Sequence, residues 1–262
     1  MNKPKTFKHL LCAAVLIPIG SAQATFTLLE NFEGLAAGGL DSQNGWTAGA
    51  EFTLVNDPAG GANQVLQYSA GAQSGAYRSL GGSAISTTGT LFARFRFEST
   101  ANANLGLTDV AAPAGYGDFR VQINRQNGTP LKGRDGGAFV DLDTDSSSAI
   151  GDVADEGGTW YNIWMLADNS SDSTRVFLQS DGDALFATQT EVFPTDGTLN
   201  FRAAAPGDLG TLMLRAQEGT AYFDDFYVSA GTDLSNPTAV PEPSSSIMLL
   251  VGMAGILRRR RG

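Results

Sequence analysis

Leu91-Phe92-Ala93-Arg94-Phe95-Arg96-Phe97-Glu98 is the stretch that decides the fold class. In an extended chain Leu91, Ala93, Phe95 and Phe97 point one way, and Phe92, Arg94, Arg96 and Glu98 point the other. A period of two marks a strand with one face on a core and does not fit the turn of a helix. The same alternation runs through Asp118 to Asn124, where Phe119, Val121 and Ile123 oppose Arg120, Gln122 and Asn124. It returns in Ala221 to Val228, where Tyr222, Asp224, Phe226 and Val228 oppose Phe223, Asp225 and Tyr227. That pattern sets Asp224 and Asp225 on opposite faces, so one of them faces inward or binds something, because burying a lone charge is costly.

Trp160 to Leu166 is apolar on both faces apart from Asn162, which predicts a central strand. Further strands are expected over 26–32, 51–56, 64–69, 75–80, 137–142, 174–179, 186–192, 198–204 and 209–216. Asn44-Gly45, Asn127-Gly128, Asp135-Gly136, Asp181-Gly182, Asp196-Gly197 and Pro206-Gly207 separate them. Most of these pairs set a residue tolerant of positive φ beside glycine, as tight hairpins require. No stretch of the body sustains a helical period. The expectation is an all-β domain, a single antiparallel β-sandwich (jelly roll) over residues 25–229.

The chain has 262 residues, 27 Asp+Glu against 17 Lys+Arg, and a net charge of −10, which argues against nucleic-acid binding. Its hydrophobic share of 42% and charged share of 17% exclude wholesale disorder.

Both ends read as addresses. Lys3, Lys5 and Lys8 precede an apolar run from Leu10 to Ile19, and Ala22-Gln23-Ala24 supplies the small residues of a signal-peptide cleavage site before Thr25. Removing 1–24 takes away His9 and Cys12, the chain's single histidine and cysteine. A body of this size manages without disulfides. At the other end, residues 230–246 are rich in Ser, Thr, Asn and Pro and read as a flexible stalk. Residues 247–262 follow as an apolar helix, Ile247 to Leu257, and an arginine tail. That helix spans about 16 Å against a hydrocarbon core of about 30 Å, too short for a good permanent anchor. Basic residues hold such an end on the cytoplasmic face.

Pro241-Glu242-Pro243, the apolar helix and Arg258-Arg259-Arg260-Arg261 together resemble the PEP-CTERM sorting signal of Gram-negative, biofilm-forming bacteria. The resemblance implies an exosortase-type membrane protease-transpeptidase as partner, transient insertion in the inner membrane, and delivery to the cell surface or extracellular matrix. Between the two signals, residues 25–246 hold all 27 acids and ten bases, an acidic body unattracted to DNA or anionic lipid.

Without histidine or cysteine, Ser-His-Asp and Cys-His nucleophiles and typical zinc sites drop out. Asp141, Asp143 and Asp145 share one face if 137–145 is a strand, and such a row can serve as an acid-base pair in a glycan-cleaving enzyme. The same spacing with Asp152 partly mimics a calcium loop, with Ser146 in place of glycine, so structural Ca2+ is a candidate cofactor; a solvated acidic turn is the plain alternative. Arg94, Arg96 and Glu98 form one polar strand face suited to an acidic glycan, and Arg120, Gln122 and Asn124 form a second, with cross-strand charge pairing as the plain alternative. Trp46, Trp160 and Trp164 are suited to stacking on sugar, with core packing as the plain alternative, and Trp46, after a glycine-rich stretch, is the one expected at the surface.

Trp160-Tyr161-Asn162-Ile163-Trp164, the turn from Asn169 to Ser173, Thr174 to Gln179 and the closing strand Tyr222 to Val228 resemble concanavalin A-like (laminin-G-like) jelly rolls. Gln122-Ile123-Asn124 is similar to the Gln-Ile-His of jelly-roll alginate lyases, with asparagine in place of the base histidine, and Lys132 as the sole lysine after residue 24 leaves no Tyr-x-Lys partner. The resemblance implies a glycan-related role. The leading expectation is therefore a non-catalytic surface or matrix protein binding extracellular polysaccharide. The alternatives are a carboxylate-dependent glycan-degrading enzyme and a purely structural matrix component.

Overall fold

The computed structural model describes residues 25–127, 129–142, 158–180, 182–194 and 197–238. The expected signal peptide, with Ala22 and Ala24, and the expected sorting motif, from Pro241, Glu242 and Pro243 to Arg258, Arg259, Arg260 and Arg261, lie outside these residues. The strands in chain order are β1 (Thr27–Glu30), β2 (Gly38–Gly39), β3 (Trp46–Ala48), β4 (Phe52–Asn56), β5 (Gln64–Ser69), β6 (Ser74–Ser79), β7 (Thr88–Phe97), β8 (Asn102–Thr108), β9 (Val121–Arg125), β10 (Leu131–Asp135) and β11 (Ala138–Asp141). They continue with β12 (Tyr161–Asp168), β13 (Ser173–Gln179), β14 (Thr190–Val192), β15 (Leu199–Asn200), β16 (Thr211–Glu218) and β17 (Thr220–Ala230).

Two antiparallel sheets form a sandwich. One runs β14-β13-β12-β7-β17-β5-β4-β2, with β1 also on β17 and β15 on β13; the other runs β11-β10-β9-β8-β16-β6-β3. The all-β expectation holds. The core is the inward half of the alternation. β7 supplies Leu91, Ala93, Phe95 and Phe97, and β12 supplies Tyr161, Ile163, Met165 and Ala167. From the facing sheet come Leu105 and Leu107 of β8, Val121 and Ile123 of β9, and Leu212 and Leu214 of β16. Each fully buried side chain of this kind is worth about 1.5–3 kcal/mol. Tyr161 stands opposite Phe95 in register and stacks on it, ring centroids 5.6 Å apart.

Trp160 to Leu166 is central, as expected: β12 lies between β13 and β7. Its outward Trp164 joins Phe92 and Phe177 in a second small apolar cluster, covered by Phe26, Tyr227 and Leu234. Leu234 belongs to the segment expected to be a free stalk. Instead the chain stays on the sheet as far as Thr238. Trp164 Nε1 donates to the Ser235 carbonyl at 2.8 Å, Gln189 Nε2 to the Leu234 carbonyl at 2.8 Å, and the Asp233 amide to Thr90 Oγ1 at 3.3 Å.

Strict alternation fails in β17. Asp224 pairs with Arg94 and Tyr227 with Phe92, so three steps on one strand match two on the other. The extra residue is a bulge, with Asp225 at φ 52°. Phe226 and Val228 thereby return to the core beside Phe223, while Asp224, Asp225 and Tyr227 stay outside. Residues 184–186 form a 3-10 turn before a short β14, and the strand expected over 198–204 shrinks to β15.

Candidate functional site

The outer face of the seven-stranded sheet carries a row of amides. Asn102 and Asn104 project from β8, Gln122 and Asn124 from β9; Asn104 stands opposite Asn124, and Gly106 opposite Gln122. All four amides are buried although they lie on the side away from the core. Asn104 Oδ1 accepts from Gln122 Nε2 at 2.7 Å and from Asn124 Nδ2 at 2.9 Å, and its own Nδ2 donates to the Arg215 carbonyl at 3.3 Å. Gln122 Oε1 is buried without a hydrogen-bond partner.

A groove of about 190 Å³ runs over this row, lined by Asn102, Asn104, Asn124, Gln126 and Gln217, with Tyr116, Phe139 and Arg202 at its sides. Tyr116 is held by a short turn. Asp118 Oδ2 accepts from the Ala114 amide at 2.7 Å and the Gly115 amide at 2.9 Å, and Thr108 Oγ1 donates to the Asp118 carbonyl at 2.6 Å. Phe139 is carried by the β10–β11 hairpin, whose turn needs the positive φ of Gly136, 51°. Guanidinium groups lie against both rings: Arg215 at 5.0 Å from the Tyr116 centroid and Arg134 at 4.9 Å from that of Phe139. Burial raises the Tyr116 phenol above its ordinary pKa, against the opposing pull of Arg215. None of the groove's lining residues among those described is acidic. The arrangement offers hydrogen bonds and flat apolar rings, the two contacts a sugar uses, and no carboxylate pair.

The opposite outer face, on the ten-stranded sheet, has a larger cleft of about 460 Å³ lined by Arg94, Trp160, Asn162, Gln179, Asn236 and neighbours. Its cations are already engaged. Arg94 Nη1 lies 3.4 Å from Asp225 Oδ2 and 3.8 Å from Asp224 Oδ2, and Arg96 Nη2 lies 3.0 Å from Glu98 Oε1. Asp224 is 1% exposed and accepts from Asn63 Nδ2 at 2.9 Å. Burial, then the charge of Asp225, pushes its carboxyl up to about 7.

The sequence-expected residues therefore do not form one site. Gln122 sits in the amide row. Arg94 and Arg96 sit on the other face of the sandwich. Arg120 Nε is ion-paired with Asp109 Oδ1 at 2.8 Å. Trp46 is a correction: it is 2% exposed, packed against Phe32 and Phe226, with Nε1 on Glu30 Oε2 at 3.2 Å. The glycine-rich approach makes a tight turn at Asn44-Gly45 (φ 43° and 80°) that folds the indole inward. Asp141 meets the Lys132 ammonium across β10–β11, and Asp143, Asp145 and Asp152 lie outside the described residues. No group of three or more His, Cys, Asp or Glu suited to a metal occurs among the described residues. Tyr116, Phe139, Arg134 and Arg202 were not anticipated; the Phe-Val alternation before Asp141 was the one available signal for Phe139.

Residues 239–261 match the model of the PEP-CTERM protein-sorting motif. The chain carries a PEP-CTERM sorting signal. No curated protein matches this PEP-CTERM chain. Among solved structures it is similar to the catalytic domain of a GH131 β-glucanase from Podospora anserina, at 11% identity and TM-score 0.44, over 72% of this chain and 83% of that one. It is also similar to winged bean acidic lectin complexed with methyl-α-D-galactose, at 9% identity and TM-score 0.45, over 80% of this chain and 100% of that one. A third likeness is to the exoplasmic/lumenal domain of VIP36 in its Ca2+/Man3GlcNAc-bound form, at 6% identity and TM-score 0.43, over 76% and 88%.

Proposed function

We propose that this is an exported surface or extracellular-matrix protein whose sandwich binds polysaccharide, without cleaving it, in the groove over the amide row. One observation carries the reading: Asn102, Asn104 and Asn124 line a groove on an outer sheet face together with Tyr116 and Phe139, and Asn104 Oδ1 is fixed by the amides of Gln122 and Asn124. Amides fixed in one row and flat rings at its sides give a sugar both its hydrogen bonds and its stacking surfaces. The sorting signal supplies the destination, with exosortase-type processing in the membrane as the step that releases the arginine tail.

Affinity electrophoresis of the exported protein against a panel of matrix polysaccharides tests the reading. Retardation by at least one polymer is expected. Tyr116→Ala should weaken it about 5-fold to 10-fold, roughly the value of one aromatic contact. No reducing ends should appear. Retardation by none of the panel, or equal retardation of the variant, would sink the groove. Mass spectrometry of the surface-exposed chain checks processing; a mass that includes Arg258 to Arg261 would contradict it. For calcium, thermal melts with added Ca2+ and with chelator report on the carboxylates of Asp141, Asp143, Asp145 and Asp152, and identical curves remove that cofactor.

A further inference from the structure

Apart from Arg125, which donates to the carbonyls of Gln126 and Thr129, the cations of this acidic body divide into two groups. Arg78, Arg94, Arg96, Arg120, Lys132 and Arg175 each meet a carboxylate. Arg134, Arg202 and Arg215 do not among the described residues, and all three lie at the groove. Arg134 donates to the carbonyls of Gly136 and Gly137 at 2.8 Å and 2.6 Å and lies over Phe139. Arg215 Nη1 donates to the Ala114 carbonyl at 2.8 Å, and its Nε is buried without a partner. Arg202 lines the groove directly; its side chain makes no hydrogen bond or ion pair among the described residues, and its buried Nε has no partner.

Three guanidinium groups without a carboxylate partner among the described residues are unexpected where the described acids outnumber the bases 19 to ten. Six cations elsewhere on this surface each meet a carboxylate. Instead Arg134 and Arg202 sit close enough that the charge of Arg202, added to burial, lowers the pKa of Arg134. Holding like charges together without a counterion costs stability unless a ligand brings the counterion.

We infer that the groove takes an acidic polysaccharide, whose anionic group is held by Arg202 with Arg134 and Arg215 adding positive field. This rests on the reading of the groove as a polysaccharide site and adds the class of polymer. A planar guanidinium engages a carboxylate through two parallel hydrogen bonds, and a sulfate ester offers similar oxygens. The acidic body repels such a polymer everywhere else, so binding is confined to this strip.

Polygalacturonate, its methyl ester, dextran sulfate and unmodified dextran are the probes, each run at low and high salt with the exported protein. Polygalacturonate should bind at least tenfold more tightly than its neutral ester, and added salt should weaken it. Dextran sulfate binding as well would mean that the site reads charge on a sugar generally; its failure would restrict the site to carboxylates. Arg202→Gln should lose at least tenfold in polygalacturonate affinity and narrow the gap between the acid and its neutral ester. Equal affinity of acid and ester, or an unaltered Arg202→Gln, overturns the inference while the groove itself stands. If the variant folds poorly, the ester comparison and salt dependence of the unsubstituted protein decide alone. If none of these polymers binds and the wider panel is also negative, groove and inference fall together.

Discussion

Glu30 shows how much one buried charge organises. Its carboxylate accepts from Arg78 Nη1 at 2.7 Å, Asn44 Nδ2 at 2.9 Å, Trp46 Nε1 at 3.2 Å and the Phe32 amide at 2.9 Å. Glu30→Ala leaves the half-buried Arg78 unpaired and the buried Trp46 Nε1 without its acceptor, so urea denaturation should show a loss of about 3 kcal/mol. Asp224 behaves in the opposite sense. Its folded pKa, about 7, stands above the ordinary 3.8, so between those values the folded chain holds a proton that the unfolded chain has released. Its contribution to stability is full at the acidic end and is lost as pH rises through about 7. Asp224→Asn keeps an acceptor for Asn63 and removes the titration. Denaturation curves should show the variant gaining on the parent between pH 4 and 7, by something on the order of 2–4 kcal/mol in all. A constant difference across that range would refute the assignment. Neither role was visible in the chain. Asp224 was expected to oppose Asp225, and only the bulge brings both to Arg94.

Among the elements, legibility followed side-chain contrast. β7, β9 and β12 alternate bulky apolar residues with polar or differently covered ones, and the alternation survives in the structure. β8 was missed, although it is a central strand of its sheet. Its sequence, Asn102-Ala103-Asn104-Leu105-Gly106-Leu107-Thr108, also alternates, but with small residues whose contrast is weak. β10 is absent from the expected strands because Lys132-Gly133-Arg134 offers no apolar alternation. β8 carries half of the amide row and β10 carries Arg134, which lies over Phe139, so neither could be placed beforehand. Arg202 follows a two-residue strand, and nothing in its neighbours marks it. The exit segment was misread for a related reason: its composition is that of a linker, and its one apolar anchor, Leu234, finds a home only because Trp164 faces outward. Deleting residues 239–262 should leave the melting temperature unchanged. Ending the chain at Ala230 instead should lower stability by about 2–4 kcal/mol, from lost apolar cover and hydrogen bonds. Equal melting of the two truncations would mean that the segment is free after all.

At the level of the whole molecule, the first strand pairs with the last, and β7 joins β12 and β17 from far along the chain. Folding therefore waits on non-local closure. Refolding should be slow for a single domain, in the range of about milliseconds to seconds or longer. It should proceed equally with and without reductant once Cys12 is absent, and stopped-flow tryptophan fluorescence measures both. β17 also has a mechanical place. It sits inside the ten-stranded sheet, bonded to β7, β5 and β1, and it is the strand from which the chain leaves. A tether beyond Thr238 would deliver a pull first to the Leu234 contact, which peels as a fuse. The load would then reach a strand gripped by three neighbours, and pass across the core to the sheet that holds the groove.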